Sequence, residues 1–213
     1  MTLGLQPPKN AVVLFGGKDL SNWHRADGQP AGWKVEGDVA TVVPGTGNIV
    51  SDETYNDVYL HLEFCLPDMP EATGQAKANS GVYLQGRYEI QVLDSSGWEV
   101  PGLGDCGAVY NQHAPLVNAC LPAAQWQTYD VVFRSARLDD AGKVVEPVRM
   151  TVLQNGIVIH NSVQLPGVTG GALDEKEGTP GPLLLQDHGD LVSYRNIWIV
   201  HLPACGSDTY EPR

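Results

Sequence analysis

Hydrophobic and polar residues alternate along this chain in short runs, and the clearest run spans Asn79 to Asp94, NSGVYLQGRYEIQVLD. Strand side chains repeat every two residues. That period places Glu89, Gln91 and Leu93 on one face and Tyr88, Ile90 and Val92 on the other. In the preceding segment Asn79, Gly81, Tyr83 and Gln85 share a face, opposite Val82 and Leu84. Two strands joined at Gly86 would carry a polar lane across a sheet. Such a lane is either the solvated side of an antiparallel sheet or a surface that binds a polar ligand.

The same short-strand pattern fills the rest of the chain. Residues 12–23, VVLFGGKDLSNW, predict a strand, a Gly-Gly turn and an edge segment ending in Trp23. Trp33 to Val43 predicts a hairpin turning at Gly37-Asp38, and Asn155-Gly156 marks a second hairpin between Val148–Leu153 and Ile157–Val163. Residues 48–51 and 57–66 predict a further strand pair, in which Val58, Leu60, Leu62, Phe64 and Leu66 alternate with Tyr59, His61, Glu63 and Cys65. His61 and Glu63 are expected on an exposed face. Strands are also expected at 126–134, 182–188 and 194–202. Ser95 to Gln125 is the longest irregular region, and its Trp98, Tyr110, Asn111, Gln112 and His113 point to function. Neither an amphipathic helix nor a repeat is visible. The expected class is all-β, a two-sheet antiparallel sandwich forming one domain over residues 1–213.

Composition agrees with many turns: there are 24 Gly and 15 Pro, and 18% of residues are charged. A net charge of −12 with 13 Lys and Arg argues against nucleic acid as a partner and favours a neutral ligand. Cys65, Cys106, Cys120 and Cys205 lack the spacing of a zinc knuckle. Cys106 and Cys120 could form a disulfide, and Cys65 is expected as a buried thiol. No apolar run reaches the length of a membrane span, and residues 1–10 lack the features of a signal peptide. Export, to the periplasm or beyond, stays open, as does the oligomeric state.

Three groups of residues could carry chemistry. Glu89-Ile-Gln-Val-Leu-Asp94 holds two carboxylates and an amide, and a bulge near Leu93 would bring Asp94 onto the face of Glu89 and Gln91. Otherwise Asp94 starts a turn. Gln186-Asp-His-Gly189 sets Gln186 and His188 on one face and Asp187 on the other; His188 could serve as a base, and Asp187 could hold a structural calcium ion. Arg87, Arg134 and Arg195 could bind substrate oxygens or pair with acids inside the sheet. No phosphate loop, nucleophile elbow or zinc motif is present.

Read in order, Phe15-Gly-Gly-Lys-Asp-Leu-Ser-Asn-Trp23, Asn79-Ser-Gly-Val-Tyr-Leu84, Tyr88-Glu-Ile-Gln-Val-Leu-Asp94, Asp105-Cys-Gly-Ala108, Trp126 to Arg134, Leu185 to Gly189 and Tyr194 to Ile199 resemble the 3-keto-disaccharide hydrolase domain family. The resemblance runs from Leu14 to Leu202 and implies a bacterial hydrolase with a concanavalin-like jelly roll, close to laminarinase-type glucanases. In those enzymes the catalytic strand carries three acids, and Gln91 stands where one of them is expected. Ordinary glycoside hydrolysis is thereby disfavoured, and an elimination route is open. A 3-ketone acidifies the C2 hydrogen, a base removes it, the C1 substituent leaves, and water adds to the enone. On this expectation Glu89 and Asp94 do acid and base work with His188 as the competing base. Asn79, Arg87, Gln91, Tyr110 and Gln186 bind hydroxyls, and Trp126 stacks on a ring. Hydrogen bonds or a divalent cation would polarise the ketone, and a sugar 3-oxidase would supply the carbohydrate substrate. The alternative is a non-catalytic carbohydrate-binding module on the same sandwich.

Overall fold

The computed structural model describes residues 2–204. Its strands, in chain order, are β1 (Val12–Phe15), β2 (Trp23–Arg25), β3 (Lys34–Glu36), β4 (Val39–Thr41), β5 (Ile49–Tyr55), β6 (Val58–Cys65), β7 (Ser80–Leu84) and β8 (Tyr88–Val92). They continue with β9 (Trp126–Arg134), β10 (Arg137–Leu138), β11 (Val144–Glu146), β12 (Arg149–Gln154), β13 (Ile157–Gln164), β14 (Gly181–Leu185) and β15 (Ser193–His201). An eight-stranded sheet runs β13-β12-β9-β6-β15-β4-β3, with β1 beside β15, and a five-stranded sheet runs β2-β5-β14-β7-β8. A small ribbon pairs β10 with β11. Every pairing between strands is antiparallel.

The alternation read from the sequence decides which side chains meet between the sheets. Leu60, Leu62 and Phe64 of β6, with Tyr129, Val131 and Phe133 of β9, face Val82, Leu84, Ile90 and Val92 of the smaller sheet in one core. Tyr88 closes one end against Phe133, ring centroids 5.6 Å apart. Burying a side chain of this size contributes about 2 kcal/mol, so the register of β7 and β8 is held by their inward faces. A slip of one residue would send Glu89 and Gln91 into the core.

Two expectations need correction here. The strands at 48–51 and 57–66 do not pair: β5 joins β2 and β14 in the smaller sheet, and β6 joins β9 and β15 in the larger. Residues 56–57 therefore carry the chain from one sheet to the other. His61 and Glu63 are not exposed either, being 0% and 1% accessible. They lie on the outer face of the larger sheet, but residues 2–6 cover them. Thr2 hydrogen-bonds Thr128 and Asp130, and Gly4 N donates to Glu63 Oε1 at 2.6 Å. His61 Nδ1 lies 2.7 Å from Asp130, and Arg195 donates to Glu63 at 2.7 Å. Buried charges need such partners, and a segment distant in sequence supplies part of the set.

Candidate active site

The β7–β8 hairpin turns through Gln85 (φ 54°) and Gly86 (φ 67°), two left-handed residues as a type I′ turn requires. Gly86 is needed for space as well, since a Cβ there would meet Leu173 Cδ1 at 2.5 Å. The register then sets Tyr83 opposite Glu89 and Gly81 opposite Gln91. These four residues form the expected lane on the outward face of the smaller sheet. Gln85 leaves it: its amide donates to Tyr55 O and Ser135 Oγ at the end of the sandwich. Leu93 leaves it too, turning fully into the core.

Loops wall the lane into a cavity of about 270 Å³. On one side residues 107–110 run along the open edge of β8: Gly107 N donates to Gln91 O, Gln91 N to Ala108 O, and Tyr110 N to Glu89 O. This places the Tyr110 side chain at the rim, and gives order to a region that looked irregular in sequence. Asn79 Nδ2 donates to Gln75 O at 2.7 Å, and Gln75 reaches Gly104 O at 2.8 Å, closing a second side. On the third, the Thr169 hydroxyl accepts from Glu89 N and donates to Arg87 O, and Tyr83 donates to Gly170 O at 3.2 Å. Gln186 and His188 complete the lining from the loop after β14, and Gln186 Nε2 donates to the Tyr83 hydroxyl at 3.2 Å.

Glu89 lies at the floor, 3% accessible. Burial pushes its carboxyl up to about 7, and the neighbouring Tyr83 hydroxyl draws it part of the way back. With its amide nitrogen turned toward Glu89, Gln91 donates to Oε1 at 3.1 Å. Burial, reinforced by the Glu89 charge, holds the Tyr83 hydroxyl protonated far above the usual range. Gln186 Oε1 is buried with no hydrogen-bond partner, an acceptor free for a ligand hydroxyl. Among the described residues lining the cavity, Glu89 is the one carboxylate, and neither Lys nor Arg is present. The lining is rich in amide and hydroxyl groups and holds a carboxyl that can gain or lose a proton near neutrality.

The structure thus brings together Glu89, His188, Asn79, Gln91, Tyr110 and Gln186. It separates four others from them. Asp94 lies outside the cavity lining, in the turn role that was its alternative. The Asp94 carboxylate pairs with Lys77 Nζ at 3.0 Å and accepts from Ser96 N, as a turn residue does. Arg87 is 3% accessible, and its guanidinium is taken up by Asp174 (2.6 Å) and Thr179 (2.9 Å to the carbonyl), so it braces the loop before β14. Trp126 belongs to the other sheet, where Arg195 covers its ring at 4.0 Å. Asp187 accepts from Gly47 N at 2.8 Å and Gly189 N at 3.0 Å, which engages both carboxylate oxygens. No group of three or more His, Cys, Asp or Glu is arranged to hold a metal among the described residues. Among those residues, the cavity lining offers Glu89 as its one carboxylate.

Tyr83, Gln75, Gly170 and Gly171 line the cavity without having been singled out. Tyr83 was visible on the lane but read only as part of a face. Gly170-Gly171 did carry a signal: Gly171 has φ 77°, and a Cβ there would approach the Tyr83 hydroxyl to 2.8 Å.

The sequence pattern of the 3-keto-alpha-glucoside-1,2-lyase-like domain family matches residues 10–200. A candidate glycosyl hydrolase from Parabacteroides distasonis ATCC 8503, known from its crystal structure, is 37% identical with a TM-score of 0.85. That alignment covers 92% of this chain and 86% of the other. A second candidate glycosyl hydrolase from the same organism is 20% identical with a TM-score of 0.67, covering 91% of this chain and 95% of its own. A third is 21% identical with a TM-score of 0.62, covering 90% and 99%. At those lower identities the likeness concerns the fold. None of the curated proteins matches the chain.

Proposed function

The chain belongs to the 3-keto-alpha-glucoside-1,2-lyase-like domain family, and we propose that its cavity cleaves 3-keto-glycosides or 3-keto-disaccharides by elimination followed by hydration. The observation that carries this reading is Glu89, a buried carboxyl near 7 at the floor of an uncharged, amide-lined cavity. A single base of that strength suits removal of a C2 hydrogen made acidic by a C3 ketone. It does not suit ordinary glycoside hydrolysis, which requires two carboxyl groups across the scissile bond.

Glu89 takes the C2 proton, and the negative charge moves to the ketone oxygen, where hydroxyl or amide donors of the lining receive it. The C1–O bond breaks and the leaving oxygen takes up a proton from His188 or from water at the open side. Water then adds at C1 of the enone and passes its proton to His188 or to solvent, while Glu89, its own proton exchanged with solvent in the meantime, returns a proton to C2. The sum is hydrolysis. An oxidoreductase that forms the 3-ketone must act first, because the unoxidised sugar has no acidic C2 hydrogen.

A second reading, a carbohydrate-binding module, draws support from the position of Asp94, which leaves the cavity one carboxylate short of a conventional pair. Release of free sugar from a 3-keto-disaccharide and from its unoxidised parent, each with and without a chelator, separates the readings. Cleavage of the ketone alone, unaffected by the chelator, is the expected result. Binding of either sugar without cleavage would favour the module.

A further inference from the structure

We propose that Cys106 and Cys120 form a reversible disulfide that staples the loop walling the cavity, independently of which sugar the cavity takes. Both are free thiols in the structure, and one network of side-chain contacts reaches both sulfurs. Two amides join their surroundings. Gln154 Nε2 reaches Cys106 Sγ at 3.3 Å and Gln127 Oε1 at 3.2 Å, while Gln127 Nε2 reaches Cys120 Sγ at 3.9 Å. The end of β8 presses on the same spot: Cys120 Sγ lies 3.6 Å from Leu93 O, and Cys106 N donates to Ser95 Oγ.

The pair sits behind the cavity floor. The Tyr129 hydroxyl meets Cys106 Sγ at 3.3 Å and donates to Gln91 O at 2.7 Å, and Gly107, next in the chain, donates to the same carbonyl. A bond between the two sulfurs would close residues 106–120, the stretch that pairs with β8 and presents Tyr110. Cys65 takes no part, since it lies across from Trp126 on β6.

Access decides the order of steps. Cys106 is fully buried and Cys120 half-buried, so an incoming low-molecular-weight disulfide reaches Cys120 first. Cys106 and burial hold the proton on Cys120, so Cys120 gives that proton up as it attacks, displaces one thiol from the external disulfide and forms a mixed disulfide. Cys106, whose thiolate the Tyr129 and Gln154 donors favour, then attacks the Cys120 sulfur and releases the second thiol. Two protein thiols are oxidised and one external disulfide is reduced to two thiols.

The test treats the folded protein with excess oxidised glutathione, then alkylates remaining thiols and cleaves with chymotrypsin, which cuts between the two cysteines at Tyr110 and Leu116. The expected product is one Cys106–Cys120 linked peptide, lighter by two hydrogens than the reduced pair. A rise in Tm of about 5–10 °C, reversed by dithiothreitol, accompanies it. Cys120→Ser, at the half-buried position, should abolish both the link and the rise, and Cys106→Ser should do the same. Alkylation of both residues after oxidation, a link to Cys65 or Cys205 instead, or a Cys106–Cys120 link without a rise in Tm would overturn the proposal.

Discussion

Glu89 Oε1 lies directly over Gly81 on the neighbouring strand, so that a Cβ at position 81 would stand 2.4 Å from it and 2.8 Å from Tyr83 Cε2. The absent side chain makes room for the carboxyl at the cavity floor. Gly81→Ala should therefore displace Glu89 and crowd the Tyr83 ring. The expected cost is about 1 kcal/mol of stability and about a hundredfold in turnover, because the reacting group moves by a large part of an ångström. Denaturant titration and a keto-glycoside assay on the same variant would measure both.

The raised carboxyl of Glu89 also makes a statement about stability. Its value rises from 4.5 unfolded to about 7 folded, so the folded state binds the proton more tightly. The resulting stabilisation is complete below pH 4.5 and is lost as pH rises through 7. Glu89→Gln, which cannot ionise, should be more stable than the parent by up to about 3 kcal/mol above pH 7 and show no such gain at pH 4. Thermal unfolding of both proteins across that range checks the sign, and turnover of the variant should fall by about 10² to 10⁴.

Asp94 and His188 should part company under mutation. Asp94→Asn weakens a link to Lys77 outside the cavity, so turnover should stay within about threefold while stability falls by about 1 kcal/mol. His188→Ala removes a group at the cavity rim and should lower turnover about tenfold or more, most for substrates with poor leaving groups. Rates measured against a series of leaving groups would expose the difference.

Arg87 and Trp126 are predicted to matter for folding and not for sugar contact. Arg87→Ala leaves Asp174 and Thr179 without their shared partner and should cost about 3 kcal/mol. Trp126→Ala removes the ring beneath Arg195 on the far sheet and should leave the Kd for a keto-sugar unchanged. Isothermal titration with the Trp126 variant tests the second statement.

Much of the fold was legible because the side-chain period carries it. Val82, Ile90, Leu60 and Phe133 announce their faces without any knowledge of partners. Partners themselves are another matter. Nothing within residues 48–66 says that β5 and β6 belong to different sheets, and nothing near His61 says that Thr2 and Gly4 fold over its surroundings. In the site, Glu89, Gln91 and Asn79 were readable from one hairpin. Asp94 was placed with them on the chance of a bulge, and its partners, Lys77 and the Ser96 N–H, hold it in a turn beyond the end of β8. Arg87 stood between a sugar and an acid for a related reason: its acceptors, Asp174 and Thr179, lie some ninety positions away. Sequence pattern reports which face a residue occupies, and long-range contacts decide whether that face is free.

Cleavage of a 3-keto-glycoside in deuterium oxide tests the elimination route at its centre, provided spontaneous exchange is measured alongside. If Glu89 removes the C2 hydrogen before the C1–O bond breaks, the released 3-keto sugar should carry deuterium at C2, and Glu89→Gln should suppress cleavage and labelling together. Sugar released at the full rate with its original hydrogen at C2 would contradict the account.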